Sequence, residues 1–347
     1  MRKTGVPPLV RPAGPGWVAI ALGLAAITAA AMAGIMIGPA GIPPAGALLA
    51  LVDSLPSLEL DHGLSEIQHR VLFEIRLPRV VLGGLVGAVL ALAGGAYQGV
   101  FRNPLADPYL LGVAAGAGLG ATAAFVFADG GPLVASAAFA GGLAAVVVTY
   151  LLGRSVGGRT TTSLILAGVA VAAFATAVQT YLLQRNVETL REVYAWILGR
   201  LLTVGWGEVG TLLLYAVPAV VVLLASARLL DVIAIGDEEA SGLGLDVKKV
   251  RWVVVASATL ATAVAVSVSG LIGFVGIIVP HTVRIAFGWS YRVILPLSFL
   301  FGAAFLIVAD LAARTLVTPA ELPIGVVTAF FGAPFFVLVL RSMRGSS

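Results

Sequence analysis

The sequence contains no cysteine and few charged residues. The absence of cysteine among its 347 residues excludes disulfides and thiolate-bound metal ions. Only 11% of the residues are charged, against about 25% in an average soluble domain. Because 59% are hydrophobic and the mean hydropathy is +1.04, the chain has too little polar surface to cover a water-soluble globule of its size. We therefore predict an integral membrane protein, in which the net charge of +4 reflects membrane topology and not nucleic-acid binding.

Residues that carry enzymatic chemistry are also scarce. No Gly-Lys dipeptide is present, which excludes a phosphate-binding loop of the Walker type. The three histidines, His62, His69 and His281, are scattered and form no His-Glu-x-x-His motif. The interiors of the apolar segments are nearly free of acidic residues, so no proton relay or sodium site is visible. We expect no catalytic residue, cofactor or metal site in this chain, and an energy source on another subunit.

Apolar segments of about 20 residues, the length that crosses a bilayer as a helix, recur along the whole chain. They predict an all-α membrane protein of about ten transmembrane helices, with a single domain over residues 1–347 and a cytosolic tail over residues 1–16. The predicted spans are 17–37, 78–100, 109–128, 133–153, 161–183, 208–230, 252–271, 274–289, 293–312 and 323–341.

Basic residues predict the orientation of these spans. With ten spans both termini lie on one side, and placing them inside puts 14 of the 21 Lys and Arg residues in inner segments and 7 in outer segments. This ratio favours a topology with both termini in the cytoplasm. Spans 2–5 and 7–10 form two four-helix blocks that start five crossings apart, so we expect them to run in opposite senses as an inverted repeat.

Three connecting segments are more than simple turns. The outer segment 38–74 is long and amphipathic, and its two histidines fit solvated loop residues better than haem ligands. Segment 184–207 has apolar residues three and four positions apart, which indicates a short helix along the membrane surface. The inner segment 231–251 contains the run Gly236–Gly244, which predicts a short helix bounded by glycines, with acidic residues near its N-terminus.

Several polar residues near the spans have two interpretations each. Arg76 and Arg79, just before span 2, either anchor at lipid headgroups or receive carboxylates of a docking protein or an anionic ligand. Asp310 and Arg314 are one helical turn apart and can pair with each other.

Proline and glycine inside the spans indicate bends and close packing. Pro280 should bend span 8, and the adjacent His281 either satisfies a carbonyl that the proline frees or has a direct mechanistic role. The glycines between Gly112 and Gly120 indicate helices that pack backbone to backbone.

Several separate motifs together resemble the FecCD family, which comprises permease subunits of ATP-driven importers for ferric siderophores, haem and vitamin B12. The resemblance covers about residues 60–341, and the motifs occur in the family's order. They are Ile75–Arg79, Gln98 with Arg102–Pro108 and Leu111-Gly112, Trp196 with Gly199, Gly270–Gly276 followed by Pro280-His281 and Arg284, Ala309-Asp310 with Arg314, and Glu321–Thr328 with Gly332–Phe336.

The resemblance implies a homodimer with the translocation path at the dimer interface, two cytosolic ATPase subunits that bind ATP and Mg, and one external substrate-binding protein. It places the protein in the cytoplasmic (inner) membrane of a bacterium or archaeon. It implies that Arg76, Arg79 and Arg314 meet acidic residues of the binding protein, and that cytosolic coupling helices sit in grooves of the ATPases. The implied coupling residues are Glu239, Ala240, Ser241, Gly242, Leu243 and Gly244, and the motif residues assigned to the path are Gln98, Arg102, Asn103, Pro104, Pro280 and His281.

We therefore predict a permease subunit that imports a metal chelate by alternating access. Ferric siderophore is the expected substrate because siderophore importers are the most numerous in the family, and haem and cobalamin remain alternatives. An ion-coupled secondary transporter is the alternative of another class, against which the lack of buried acids argues. Arg200 departs from the family, which often has a small residue there. We expect small residues of spans 2, 5 and 8 to line the path, including Gly83-Gly84, Gly87, Gly94-Gly95 and Ala167-Gly168.

Overall fold

The computed structural model describes residues 14–54, 60–155, 161–201, 205–317 and 320–344. This part of the chain is 81% helix and has no strand, as the sequence predicts. A π-helical segment, Val71–Arg76, joins the third and fourth α-helices into one continuous helix, and a 3-10 turn, Val187–Thr189, precedes the eighth. The α-helices are α1 Trp17–Met36, α2 Pro44–Asp53, α3 Glu66–Arg70, α4 Leu77–Phe101, α5 Val113–Phe127, α6 Leu133–Ser155, α7 Thr161–Arg185, α8 Leu190–Ile197, α9 Gly207–Ala225, α10 Ala227–Ile235, α11 Asp237–Gly242, α12 Val247–Ser269, α13 Val275–Phe287, α14 Tyr291–Thr315 and α15 Ile324–Arg344.

Each of the ten predicted spans overlaps one of these helices. Seven helices of the described ranges are long and apolar enough to cross a membrane, namely Trp17–Met36, Glu66–Phe101, Leu133–Ser155, Thr162–Arg185, Gly207–Ala225, Val247–Ser269 and Tyr291–Thr315. Four further apolar helices of the described ranges are shorter, and three of them, Val113–Phe127, Val275–Phe287 and Ile324–Val337, overlap predicted spans, whereas Pro44–Asp53 does not. The chain is therefore an integral membrane protein, and the ten-span topology with its inverted repeat stays a prediction.

Two of the shorter helices begin after irregular backbone. Before α5, the carboxylate of Asp107 accepts a hydrogen bond from the Tyr109 backbone N–H at 2.7 Å, and Gly112 has a φ of +84°. Such side-chain turns compete with helical hydrogen bonds and delay the helix start. Before α13, Gly270 and Phe274 have φ values of +69° and +68°, which a continuing helix does not permit.

Helix α4 forms the centre of the bundle, where it packs against α14, α12, α13 and α9. Almost every residue from Pro78 to Phe101 is buried. Close approach requires glycine at two points, because a methyl group at Gly87 would overlap the carbonyl oxygen of Gly302, and one at Gly94 would overlap that of Gly276.

In this structure the small residues of α4 that were expected to line a path pack against other parts of the same chain, and their place at the path stays a prediction. Gly84 faces the side chain of Ile307, and Gly83 faces that of Leu201, so neither meets open space. In α7, a methyl group at Gly168 would overlap the carbonyl oxygen of Leu110. These small residues let helices of one chain approach each other. Hydropathy and composition do not distinguish this role from the lining of a channel. The prediction of close packing in the 112–120 stretch is confirmed, because Gly116 and Gly120 of α5 lie against the backbone of α6.

Candidate functional site

Charged residues gather at two ends of the bundle. The first cluster, which we call the outer cluster, lies where α4 begins and α14 ends, on the side that the basic residues predict to be external. Its members are Arg76, Arg79, Asp310, Arg314 and Glu321.

Asp310 is the centre of the outer cluster. Its carboxylate lies 2.9 Å from Arg79 Nη2 and 3.0 Å from Arg314 Nε, and the exposed fraction of its side chain is 2%. The predicted pairing of Asp310 with Arg314 is thereby confirmed. Arg79 also donates two hydrogen bonds to the Glu321 carboxylate, at 3.0 and 3.2 Å. The planar guanidinium group of Arg79 thus joins α14 to the start of α15.

The other two arginines of the cluster hold the end of α1. Arg76 donates to the carbonyl oxygen of Ile35 at 2.9 Å, and Arg314 donates to that of Gly34 at 3.2 Å. Both carbonyls belong to the last turn of α1, where the helix dipole favours a cation. Arg76 and Arg314 are buried, so the structure brings the three predicted docking arginines together but directs two of them into the protein.

A polar recess opens beside the outer cluster. Its volume is about 520 Å³, and its lining includes Arg191, Arg200 and Glu321. Arg200 is exposed, and its backbone N–H donates to the carbonyl oxygen of Ser269 at 2.9 Å. The residue that departs from the family pattern therefore contributes positive charge to this recess.

The second cluster, the inner cluster, contains the predicted coupling segment. Helix α11 begins at Asp237 directly after Gly236, and its first turn carries three acidic residues, as the sequence predicts. Asp237 accepts hydrogen bonds from Arg251 of α12 at 3.1 and 3.3 Å. It also lies 3.4 Å from Nη2 of Arg102, the residue that caps α4 in a left-handed conformation. One carboxylate therefore connects α11 to both α4 and α12.

The predicted coupling residues divide into an anchored residue and an exposed face. Ala240 is buried against Ile233 and Val247. Leu243, the residue directly after α11, is 71% exposed. Glu239, Ser241, Gly242 and Gly244 are also exposed.

The motif residues after α4 form a rigid turn. The Asn103 side-chain oxygen accepts a hydrogen bond from the Leu105 backbone N–H at 2.9 Å, and Pro104 lies between them. Further along the turn, burial raises the pKa of the Asp107 carboxyl from 3.8 to about 6, although its hydrogen bond from the Tyr109 N–H opposes this shift. The Tyr109 hydroxyl donates to the carbonyl oxygen of Ile272 at 3.0 Å, which ties the turn to the segment before α13.

Gln98 connects α4 to α13 inside the bundle. Its amide nitrogen donates to the carbonyl oxygen of Gly276 at 3.2 Å, and its amide oxygen accepts from Arg284 at 3.1 Å. The guanidinium of Arg284 also lies 5.5 Å from the ring centroid of Trp289 and 5.6 Å from that of Tyr291. The buried Arg284 is thus held by an amide and by two aromatic faces.

Pro280 and His281 lie inside α13, as the sequence predicts. His281 is buried, and its ring packs edge-on against Phe335 with a centroid distance of 6.1 Å. Among the described residues, its Nδ1 atom has no hydrogen-bond partner. The structure thus gives no support to the interpretation that His281 satisfies a carbonyl freed by Pro280.

Sequence reasoning did not identify three charged residues as interaction partners. It quoted Glu321 and Arg284 only as parts of family motifs and gave Asp237 no role. For Glu321 and Asp237 the available signal was their charge, which is opposite to that of Arg79 and Arg102, and for Arg284 it was the polar amide of Gln98. Nothing in a single sequence specifies which of these groups meet.

Comparisons with known proteins agree with this arrangement. Residues 25–342 match the FecCD transport family. The chain is 44% identical to the cobalamin import system permease protein of Halobacterium salinarum over 283 residues, which cover 81% of this chain and 76% of that protein. It is 39% identical to the hemin transport system permease protein of Yersinia pestis, with 79% of this chain and 84% of that protein covered.

A solved structure shows the same fold. It is an inward-facing conformation of a metal-chelate type ABC transporter, with a TM-score of 0.81, 28% sequence identity, and coverage of 94% of this chain and 99% of that one. The family match covers most of the chain, and curated relatives of high identity are permeases of ABC importers. The chain therefore belongs to the FecCD transport family and is a membrane permease of the ABC-importer type.

Proposed function

We propose that two copies of this chain form the membrane part of an importer that moves a metal chelate into the cytoplasm. Two ATPase subunits close on ATP, and the permease helices respond by opening the path alternately to the two sides. The observation that carries the proposal is helix α11, which is followed directly by an exposed apolar side chain and is fixed to two long helices by one carboxylate.

Helix α11 has the properties that a coupling element needs. It is short, and its buried Ala240 packs against residues of α10 and α12. The exposed Leu243, which follows the helix directly, offers an apolar contact to a groove on an ATPase subunit. Because Asp237 pairs with Arg102 and Arg251, a displacement of α11 acts on α4 and α12 together. This supports assigning residues Glu239–Gly244 to ATPase coupling.

The outer cluster supports docking of a binding protein through carboxylates. Arg79 is the docking residue of choice among the three predicted arginines, because its carboxylate partner Glu321 lies at the surface and 28% of the Glu321 side chain is exposed. A carboxylate of the binding protein would exchange with Glu321 at Arg79. Arg76 and Arg314 would then act mainly by holding α1 and Asp310 in place.

The membrane topology completes the proposal. Ten crossings with both termini in the cytoplasm put the inner cluster on the ATPase side and the outer cluster on the side of the binding protein. The location would be the cytoplasmic membrane of a bacterium or archaeon. Gln98, Arg102, Asn103, Pro104, Pro280 and His281 would form the supporting structure of the path, since the described contacts of Gln98 and Asn103 are internal to the chain.

The substrate is a bulky metal chelate. Ferric siderophore remains the proposal from the sequence, and the 44% identity to a cobalamin import permease favours cobalamin as the second candidate. Selectivity would reside in the binding protein, so the permease needs no high-affinity site of its own.

ATP turnover in nanodiscs tests the proposal. The permease would be assembled with its ATPase, and the binding protein would be added empty or loaded with ferric siderophore, haem or cobalamin. We expect one loaded form to stimulate ATP hydrolysis. No stable complex with any ATPase would refute the mechanism.

Leu243→Asp tests the coupling face within the same system. The change should weaken copurification with the ATPase, because it places a charge on an apolar contact. Ile67→Asp is the matched control, since Ile67 is 76% exposed on α3, far from α11 in the predicted topology. If both variants copurify equally well with the ATPase, α11 is not part of the interface.

A further inference from the structure

A cavity near the inner cluster is not used by the proposed transport mechanism. It lies between α6, α7 and α12 and has a volume of about 180 Å³. Its walls are formed by apolar residues from these helices and from the turn before α5, with two aromatic rings and three cationic side chains. The apolar residues include Leu111, Val146, Leu164 and Val255.

The cationic side chains of the cavity all lie at helix ends. Arg154 is in the last turn of α6, and Lys248 and Arg251 are in the first turns of α12. Helix ends of a membrane protein lie at the level of the lipid headgroups, and the predicted topology places these ends on the cytoplasmic side. The cavity is therefore an apolar slot with a basic rim at the membrane surface.

In the part of the chain that the structure describes, the charges on this rim are only partly balanced. Arg251 is paired with Asp237, but its Nε atom is buried and has no hydrogen-bond partner in the described ranges. Within those ranges, no ion pair to an acidic residue occurs at Arg154 or Lys248, and both side chains are exposed. Two cations beside an apolar slot therefore lack an anionic partner among the described residues.

Two aromatic rings form part of the wall of the slot. The rings of Tyr150 and Trp252 meet edge-on with a centroid distance of 3.7 Å, and both residues line the cavity. Tyrosine and tryptophan prefer the interface between lipid and water, where the ring is apolar on one side and wet on the other.

We propose that this cavity binds an anionic glycerophospholipid. The phosphate would lie between Arg154 and Lys248, and one acyl chain would enter the slot along Val146, Leu164 and Val255. Charge complementarity selects an anionic headgroup over a zwitterionic one, and the apolar walls select a lipid over a soluble phosphate. Nothing in this assignment depends on the transported substrate or on the coupling mechanism.

The binding of phosphatidylglycerol to the purified protein tests this site. Lipid titrations in mild detergent would be followed by native mass spectrometry and by the melting temperature, with phosphatidylcholine, inorganic phosphate and glycerol 3-phosphate as competing probes. The double variant Arg154→Gln/Lys248→Gln should need about tenfold or more phosphatidylglycerol for half-saturation, since each cation near a membrane surface contributes about 1 kcal/mol.

The control variant is Lys249→Gln/Arg228→Gln. It removes the same charge from exposed residues that do not line the cavity, and it should bind like the wild type. A third variant, Val255→Phe, fills the slot without changing charge and should also weaken lipid binding.

Four outcomes would overturn the proposal. The first is that the two double variants bind phosphatidylglycerol with equal affinity, and the second is that the wild type binds phosphatidylcholine as tightly as phosphatidylglycerol. The third is that a soluble phosphate competes completely with the lipid, and the fourth is that the lipid is lost when the protein dimerises. The third would make this a site for soluble anions, and the fourth would assign the cavity to a second copy of the chain.

Discussion

Arg79 Nη2 of α4 lies 2.9 Å from the carboxylate of Asp310 in α14, and the two residues are 231 positions apart in the sequence. This contact joins α4, the central helix of the bundle, to α14, the helix against which α4 packs most extensively. Because the same guanidinium also holds the exposed Glu321, it is the point where the buried ionic core of the outer cluster reaches the surface.

Arg79→Gln tests whether this point receives a binding protein. We expect the affinity for the binding protein to fall about tenfold, with a smaller dependence on salt, because a rim charge contributes mainly through electrostatic attraction. Fluorescence titration at two salt concentrations measures both effects. The matched control is Arg185→Gln, which removes a charge from the predicted outer end of α7. Unchanged affinity in Arg79→Gln would end the docking assignment of Arg79.

Asp237→Asn should change the stability of the protein little and its coupling to ATP hydrolysis strongly. The ion pairs of Asp237 are partly exposed, so their loss should cost no more than about 1 kcal/mol of folding free energy. The stimulation of ATP hydrolysis by the loaded binding protein should nevertheless fall severalfold, because α11 loses its connection to α4 and α12. Glu238→Gln, on the same helix and exposed, should leave the stimulation as it is. Equal behaviour of the two variants would refute a special role for Asp237.

Gly94→Ala should strongly destabilise the protein. The added methyl group would overlap the backbone of α13 at Gly276, and backbone atoms cannot move aside as a flexible side chain can. We expect a loss of about 3 kcal/mol or more, seen as a lower melting temperature in detergent. Gly210→Ala in α9 has open space around the new methyl group and should be neutral or stabilising by up to about 1 kcal/mol. A neutral Gly94→Ala would show that the two helices separate more easily than their packing indicates.

Asp107→Asn should stabilise the protein at neutral pH. Because burial raises the pKa of Asp107 to about 6, the folded state holds this proton more tightly than the unfolded chain does. The free energy of unfolding should therefore decrease as the pH rises from about 4 to about 6, with no further contribution from this group above pH 6. Asparagine keeps an acceptor for the Tyr109 N–H and removes the charge. The free energy of unfolding at pH 7.5 should therefore increase by roughly 3 kcal/mol at most.

The dependence of this gain on pH is the decisive observation. The melting temperature of Asp107→Asn should exceed that of the wild type at pH 7.5 and approach it near pH 4. Glu238→Gln serves as the exposed carboxyl control and should change little at either pH. An equal increase in melting temperature at pH 7.5 and pH 4 would mean that the asparagine acts through hydrogen bonding and not through charge.

The sequence predicted the helices of this fold because hydropathy is a local property. All ten apolar segments coincide with helices, and the glycine-bounded α11 and the amphipathic α8 occur where the pattern indicates. The predicted start of span 8 at residue 274 agrees with α13, which begins at Val275. Helix α5 instead begins four residues later than the predicted span, after the turn that contains Asp107 and Gly112.

The partners in the candidate sites could be predicted only where they are neighbours in the chain. Asp310 and Arg314 are four residues apart, and their pairing follows from helix geometry. The contact of Gln98 with Arg284 spans 186 residues, and that of Arg79 with Glu321 spans 242. Such contacts depend on how the helices are arranged in space, which one sequence without related sequences does not specify.

The last turn of α1 accepts hydrogen bonds from two buried arginines, Arg76 and Arg314. An N-terminal truncation that removed this helix would therefore do more than shorten a membrane anchor. It would leave two guanidinium groups in an apolar interior without their carbonyl acceptors, next to a single aspartate that already serves Arg79. The outer cluster therefore depends on the first helix for the acceptors of two of its arginines. Adding this helix as a separate peptide should restore these hydrogen bonds to a protein from which the helix has been deleted.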